Sequence, residues 1–110
     1  MTNGNCISTL VVGVTLLSLF CLPVRAQSPG ESLYKAKCAA CHGADGKGET
    51  AIGKKSNLND LGSADVRKLS DAELTEIIAN GKNKMPGYAK SLKPEQIKDL
   101  VVYIRTFAKK

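Results

Sequence analysis

Cys38-Ala39-Ala40-Cys41-His42 is the stretch that decides the fold. A C-x-x-C-H run is the pattern of covalent c-type haem attachment. On a helix the two thiols lie at i and i+3 and the imidazole at i+4, so all three side chains leave one face. Cys38 and Cys41 can then each add to one porphyrin vinyl group, while His42 reaches the iron from one side of the tethered ring. Five residues with two of them unspecified form a short pattern, so its weight depends on the rest of the chain.

Other chemistries compete for the same three residues. A zinc site needs about four ligands, and a thioredoxin-type dithiol belongs on a parallel sheet. Nucleophilic cysteine chemistry uses one thiol and leaves the second without a role. The ligand count depends on which residues survive maturation. Residues 7–22 form a largely apolar run that ends in Pro23 and Val24-Arg25-Ala26. This is the form of a secretory signal peptide, with cleavage expected after Ala26. Residues 1–26 are thus read as leader and 27–110 as the functional domain. The segment before the apolar run departs from the pattern, since it has no Lys or Arg. An uncleaved anchor is the alternative, but the run of 16 residues is short against a span of about 20. Lipidation of Cys21 is disfavoured by the bulky Phe20 before it.

Cleavage removes Cys6, Cys21, Met1 and Arg25, leaving two Cys, one His and one Met in 84 residues. Two Cys and one His are too few for zinc. The 15 basic and 10 acidic residues that remain give a formal +5. Such a balance fits docking to acidic faces of redox proteins, although a solvated lysine-rich exterior has the same composition. The lysines are scattered and not interleaved with aromatics, which gives no support to nucleic-acid binding. With three Tyr, one Phe and no Trp, a domain this small has little aromatic material for a core. A covalently held haem supplies an apolar core element where no disulfide is available.

The periodicity is helical throughout. Ser28-Pro29-Gly30-Glu31 is a helix start, with Ser as N-cap and Pro at the first position, and predicts a helix over about 29–40. Gly30, Tyr34 and Cys38 fall in one row along it. A glycine inside a helix costs about 1 kcal/mol against alanine, so Gly30 calls for a reason such as close approach of a second helix. The turn-rich Gly43-Ala44-Asp45-Gly46-Lys47-Gly48 ends this element, and the stretch to Gly62 reads as loop. A helical turn is expected over about 63–68. The capping box Ser70-Asp71-Ala72-Glu73 opens a helix over 71–80, closed by Asn80-Gly81. Lys82-Asn83-Lys84-Met85-Pro86-Gly87-Tyr88 reads as loop. A last helix runs from Pro94 to about Ala108 with Ile97, Leu100, Val101 and Ile104 as its stripe, behind a weak cap at Lys93.

Met85 is the one thioether left in residues 27–110, and His/Met pairs are the ligands of electron-transfer haems. A gap-filling methionine is the other reading. Its place in a polar loop between Lys84 and Pro86, away from any apolar helix face, favours ligation.

Together Cys38-Ala39-Ala40-Cys41-His42-Gly43, Asp45-Gly46-Lys47-Gly48, Met85-Pro86 and Leu100-Val101-Val102-Tyr103-Ile104-Arg105 resemble the class I c-type cytochromes, above all the small monohaem bacterial and photosynthetic ones. The resemblance covers almost all of residues 27–110. It implies an all-α cytochrome c fold whose first and last helices cross at nearly right angles around one covalent haem c. Gly30 and Tyr34 match the contact positions of the first helix, and Leu100 and Tyr103 those of the last. It further implies thioether bonds at Cys38 and Cys41 and axial ligation by His42 and Met85. The implied function is that of a soluble single-electron carrier, not an enzyme, working between membrane or periplasmic redox complexes. The expected place is the periplasm, or the thylakoid lumen of a photosynthetic source, and the expected state a monomer. A haem sensor or weak peroxidase with an open sixth site is the alternative. One feature departs from the family. Many relatives carry a proline whose carbonyl accepts from the outer nitrogen of the proximal histidine, and none lies between Gly43 and Met85. Another backbone carbonyl is expected in that role, and residues 54–57 are the candidate region for the haem propionates.

Overall fold

The computed structural model describes residues 21–23 and 25–109, so the expected signal peptide lies almost wholly outside the described residues. Among these residues six helices follow one another: α1 (Pro29–Lys37), α2 (Ala39–His42), α3 (Ala51–Lys55), α4 (Ala64–Lys68), α5 (Asp71–Asn80) and α6 (Pro94–Arg105), which tightens into a 3-10 turn at Thr106–Lys109. Among the described residues the one strand-like pairing is an isolated bridge between Lys82 and Met85.

Capping chemistry sets the helix starts. The hydroxyls of Ser28, Thr50, Ser63 and Ser70 each accept from the backbone N–H three residues on, which satisfies one of the donors a helix leaves unpaired at its start. At Ser70 the return bond is present as well, with the Glu73 carboxylate accepting from the Ser70 N–H at 2.7 Å. Hydrogen bonding to the carboxyl from the Ser70 N–H, and then from the Ser70 side chain, holds Glu73 below its usual range. Lys93 has no acceptor to offer at the start of α6. There Gln96 compensates, its Oε1 accepting from the Lys93 N–H at 2.8 Å.

Two expectations change. The first helix reaches past Ala40 to His42 but bends at Cys38, whose φ of −115° and ψ of −36° separate α1 from α2. The polar stretch before Gly62 holds α3, five residues behind the Thr50 cap. No apolar stripe announces it, because five residues are too few for the period of about 3.6 to repeat.

The first and last helices meet at Gly30. A Cβ built there would stand 2.1 Å from the Asp99 carbonyl oxygen and 3.0 Å from the Tyr103 Cβ. This close approach is the reason Gly30 called for. Tyr34, one turn on, is fully buried and Leu100 is nearly so. The rings of Tyr34, Tyr103 and Phe107 form a closed trio with centroids 5.2–5.4 Å apart, within the range where tilted aromatic pairs attract. Ile97, Leu100, Val101 and Ile104 bury the stripe of α6 against Leu74 and Ile78 of α5. The core therefore sits along α6, with α1 across it at Asp99 and Tyr103 and α5 along its side.

Arg105 stitches the far end of α6 to the start of α5. Its Nη2 donates to the Leu69 carbonyl at 2.6 Å and to Asp71 Oδ1 at 2.8 Å, Nε donates to the same Oδ1 at 3.0 Å, and Nη1 reaches the Val66 carbonyl at 3.4 Å. Removing the fork leaves the Leu69 carbonyl without its donor, while Val66 O keeps the Leu69 N–H, and costs about 1–3 kcal/mol. Arg105→Ala is expected to lower the unfolding free energy by that amount, read as a lower urea midpoint at an unchanged denaturant slope, and Arg105→Lys to restore little of it. An unshifted midpoint in Arg105→Ala would show that the stitch contributes nothing.

Candidate haem-attachment site

The bend at Cys38 hands the chain from α1 to α2 without breaking the hydrogen-bond run. Cys38 N–H donates to Tyr34 O at 2.9 Å, and Cys38 O accepts from Cys41 N at 3.2 Å and His42 N at 2.9 Å. The i, i+3, i+4 spacing is thus realised on helical backbone, and Cys38, Cys41 and His42 share a face. Both cysteines are free thiols and half-buried. Burial, with the Cys41 thiol adding to it, pushes the Cys38 thiol up to about 11.

A helix that ends at a functional site must find donors for its last carbonyls. Here donors are found for the carbonyls of Ala39, Cys41, His42 and Gly43. Ala39 O accepts from Gly43 N at 2.8 Å, and His42 O from Gly48 N at 2.7 Å. Cys41 O accepts from the Thr50 hydroxyl at 2.6 Å, and Gly43 O from the Tyr34 hydroxyl at 2.7 Å. The loop after the motif wraps closely enough that side chains are excluded. A Cβ on Gly53 would stand 2.1 Å from Gly48 O and 2.8 Å from Cys41 O, and one on Gly46 would meet the Phe107 ring at 2.9 Å. Thr50 therefore does two jobs, capping α3 and holding the carbonyl of the second motif cysteine.

His42 is half-buried, and burial lowers its pKa, so the ring is neutral at physiological pH. A neutral imidazole is the metal-ligating form. Its Nδ1 is buried and has no hydrogen-bond partner among the described residues, so the expected backbone carbonyl is not found there.

Met85 stands in a loop clasped to the end of α5. Lys82 and Met85 exchange backbone bonds, Met85 N to Lys82 O at 2.9 Å and Lys82 N to Met85 O at 3.2 Å, closing a two-residue turn over Asn83 (φ 54°) and Lys84. Gly81, at φ 80°, lets the chain leave α5 so tightly that a Cβ there would lie 2.5 Å from Met85 O. Past Pro86, Tyr88 N–H donates to Ile78 O at 2.9 Å and Ala89 N–H to Ala79 O at 3.0 Å. The Met85 side chain is half-buried and packs on the same core cluster as Cys38 and Ala39. Tyr88 packs there too, and its hydroxyl donates to Lys37 O at 3.0 Å. Burial raises the Tyr88 phenol pKa, with Cys38 and Cys41 adding to the shift.

The four residues named from sequence thus divide into two groups, three on α2 and its entry and one on the clasped loop, both set against one core. The donor set suits a haem: two free thiols, a neutral half-buried imidazole and a thioether, with no carboxylate among them. A surface hollow of about 410 Å³ beside α5, lined by Leu69, Ala72, Glu73, Glu76, Ile77 and Lys82, contains none of the four. Thr50 and Tyr88 were not legible as site residues. A Thr before Ala51 signals a cap at most, and the reach of Tyr88 to Lys37 crosses 51 positions of sequence.

Known proteins agree with this reading of the fold. The family model described as cytochrome C oxidase, cbb3-type, subunit III matches residues 25–104. The chain is 36% identical over 103 residues to cytochrome c6 of Nostoc sp., covering 88% of this chain and 87% of that one. It is 34% identical to cytochrome c-555 of Methylococcus capsulatus, covering 90% and 77%. The cbb3-type oxidase subunit FixP of Azorhizobium caulinodans is 38% identical over 85 residues, which are 74% of this chain and 27% of that subunit. Among solved structures, the KustC0563 c-type cytochrome superposes with a TM-score of 0.66 at 34% identity, over 71% of this chain and 95% of its own. The chain belongs to the class I c-type cytochromes, electron-transfer proteins with the cytochrome c fold, and membership implies haem c as cofactor.

Proposed function

We propose that this protein is an exported monohaem electron carrier in which Cys38 and Cys41 hold haem c by thioethers and His42 and Met85 are the axial ligands. The observation that carries the reading is the shared helical face of Cys38, Cys41 and a neutral, half-buried His42, with the Met85 loop clasped to the adjoining core. Bound haem supplies a one-electron iron couple. The chain's own residues hold the two ligands still, exclude water and set the potential. With His42 and Met85 both holding the iron, no substrate would reach the metal, and the group would supply one-electron transfer to a docked partner. A pyridine haemochrome spectrum of one thioether-linked haem per chain, and a weak red absorption band from methionine on ferric iron, are the expected results. A ferric protein without that band whose reduced form takes up carbon monoxide readily would favour the sensor or peroxidase alternative.

Export rests on the leader-like residues 1–26, with cleavage after Ala26. Among the described residues no helix is long and apolar enough to cross a membrane. The mass of the protein released from the periplasm tests the cleavage site, and a product that retains the leader overturns it. We take the carrier to be a monomer whose donor and acceptor are redox proteins with acidic faces. Lys47, Lys54, Lys82 and Lys84 are all exposed and are the docking candidates. Association with an acidic partner is expected to slow as salt rises from 10 to 150 mM, where the screening length shrinks from about 30 Å to about 8 Å. A rate independent of salt in stopped-flow measurements removes the steering role.

A further inference from the structure

The loop of residues 81–92 is fastened mainly to its own neighbour in sequence. Its backbone bonds run inward, between Lys82 and Met85 and from Ser91 and Leu92 to Tyr88 O, or back to Ile78 and Ala79 of α5. One hydrogen bond among the described residues leaves this set. The Tyr88 hydroxyl donates at 3.0 Å to the carbonyl of Lys37, the last residue of α1 and the one before Cys38. Tyr88 follows Met85 by three positions, and its ring packs on the cluster that Cys38 and Met85 also touch.

We propose that Tyr88 is a positioning residue for the sixth ligand, its hydroxyl tying the Met85 loop to the helix end that begins the haem-attachment motif. The proposal rests on the reading of Met85 as that ligand. If the turn that carries Met85 moves away from α1, the Lys82–Met85 clasp travels with it intact, while Tyr88, held to Ile78 O of α5 through its N–H, keeps the following residues in place. The Tyr88–Lys37 bond is the one hydrogen bond of the loop, among the described residues, that opposes a separation from α1 itself. A phenylalanine at this position packs as well but lets the loop open at no directional cost. The bond is solvent-accessible, so water can replace part of it, and its net effect lies at the lower end of the hydrogen-bond range.

The test is the equilibrium between the closed loop and an opened one, read with exogenous imidazole on the ferric holoprotein. Imidazole takes the sixth site only when Met85 has left, so its apparent affinity scales with the opened fraction. Tyr88→Phe is expected to bind imidazole about two- to fivefold more tightly than the unsubstituted protein. The red methionine band should also disappear at a lower temperature, while its intensity at low temperature and the reduction potential stay close to the original. If imidazole affinity and the melting of the band are unchanged, and only the global unfolding midpoint falls, Tyr88 is structural and the proposal is overturned. If the unsubstituted protein itself shows no red band, the ligand assignment fails and the proposal falls with it. That failure is distinguishable because it needs no variant.

Discussion

Met85→Ala is expected to lower the reduction potential by about 0.1–0.2 V and to leave the iron open to added ligands. A thioether is a soft ligand that favours the lower oxidation state, and His/Met pairs raise the potential for that reason. For a one-electron couple each tenfold preference for the reduced form is worth about 59 mV. A ligand that favours ferrous over ferric iron by about 10²–10³ thus accounts for about 0.12–0.18 V, a modest part of the ~0.8 V that axial ligands span. The fold should survive, because Met85 is half-buried at the edge of the core and the clasp around it is made of backbone bonds that alanine keeps. The expected picture is a folded protein without the red band, with a lower midpoint in potentiometric titration and with carbon monoxide binding in the reduced state. An unchanged potential in a folded Met85→Ala protein would show that another group ligates the iron. Lys82 and Lys84 flank the loop and are the first candidates to examine in that event.

The sequence was legible where a local rule had no competitor. The Ser70 box and Asn80-Gly81 bound α5 at both ends, and the helix occupies those residues. The stripe of α6 is buried as its spacing required. Legibility failed where the deciding partner lies far along the chain. The bend at Cys38 follows no breaker residue, and α3 is a single capped turn. Arg105 reads as a surface cation until Leu69 O and Asp71 are seen beside it, 36 and 34 positions away. The same applies to the site. The Cys, His and Met proposed for it come from motif and count, whereas Thr50, the Tyr34 hydroxyl and Tyr88 act through contacts with backbone carbonyls. Every residue has a carbonyl, so a sequence does not single out the ones that will be held.

Gly30→Ala sets two physical rules against each other, and the structure decides which one wins. Helix propensity alone predicts stabilisation of up to about 1 kcal/mol, less in a first turn. Packing predicts the reverse, because the new Cβ would stand 2.1 Å from Asp99 O, 2.8 Å from its carbonyl carbon and 3.0 Å from Tyr103 Cβ. Two of these atoms are helix backbone and cannot rotate aside, so α1 and α6 must separate by about an ångström to restore van der Waals distance. Separation loosens the whole crossing, since Tyr34 packs against Tyr103 and Phe107 one turn further along the same face. Overpacking of this kind costs about 1–3 kcal/mol and occasionally more, so a net loss of about 2 kcal/mol is expected. Against a total stability on the order of 5–15 kcal/mol, that is a large fraction. The exposed Ala36 of α1 provides the contrast, because Ala36→Gly changes propensity without touching the crossing and should cost no more than about 1 kcal/mol. Urea unfolding of the two holoproteins orders them. Should Gly30→Ala prove as stable as the original or more so, the crossing of α1 and α6 is looser than the 2.1 Å contact requires, and propensity governs this position after all.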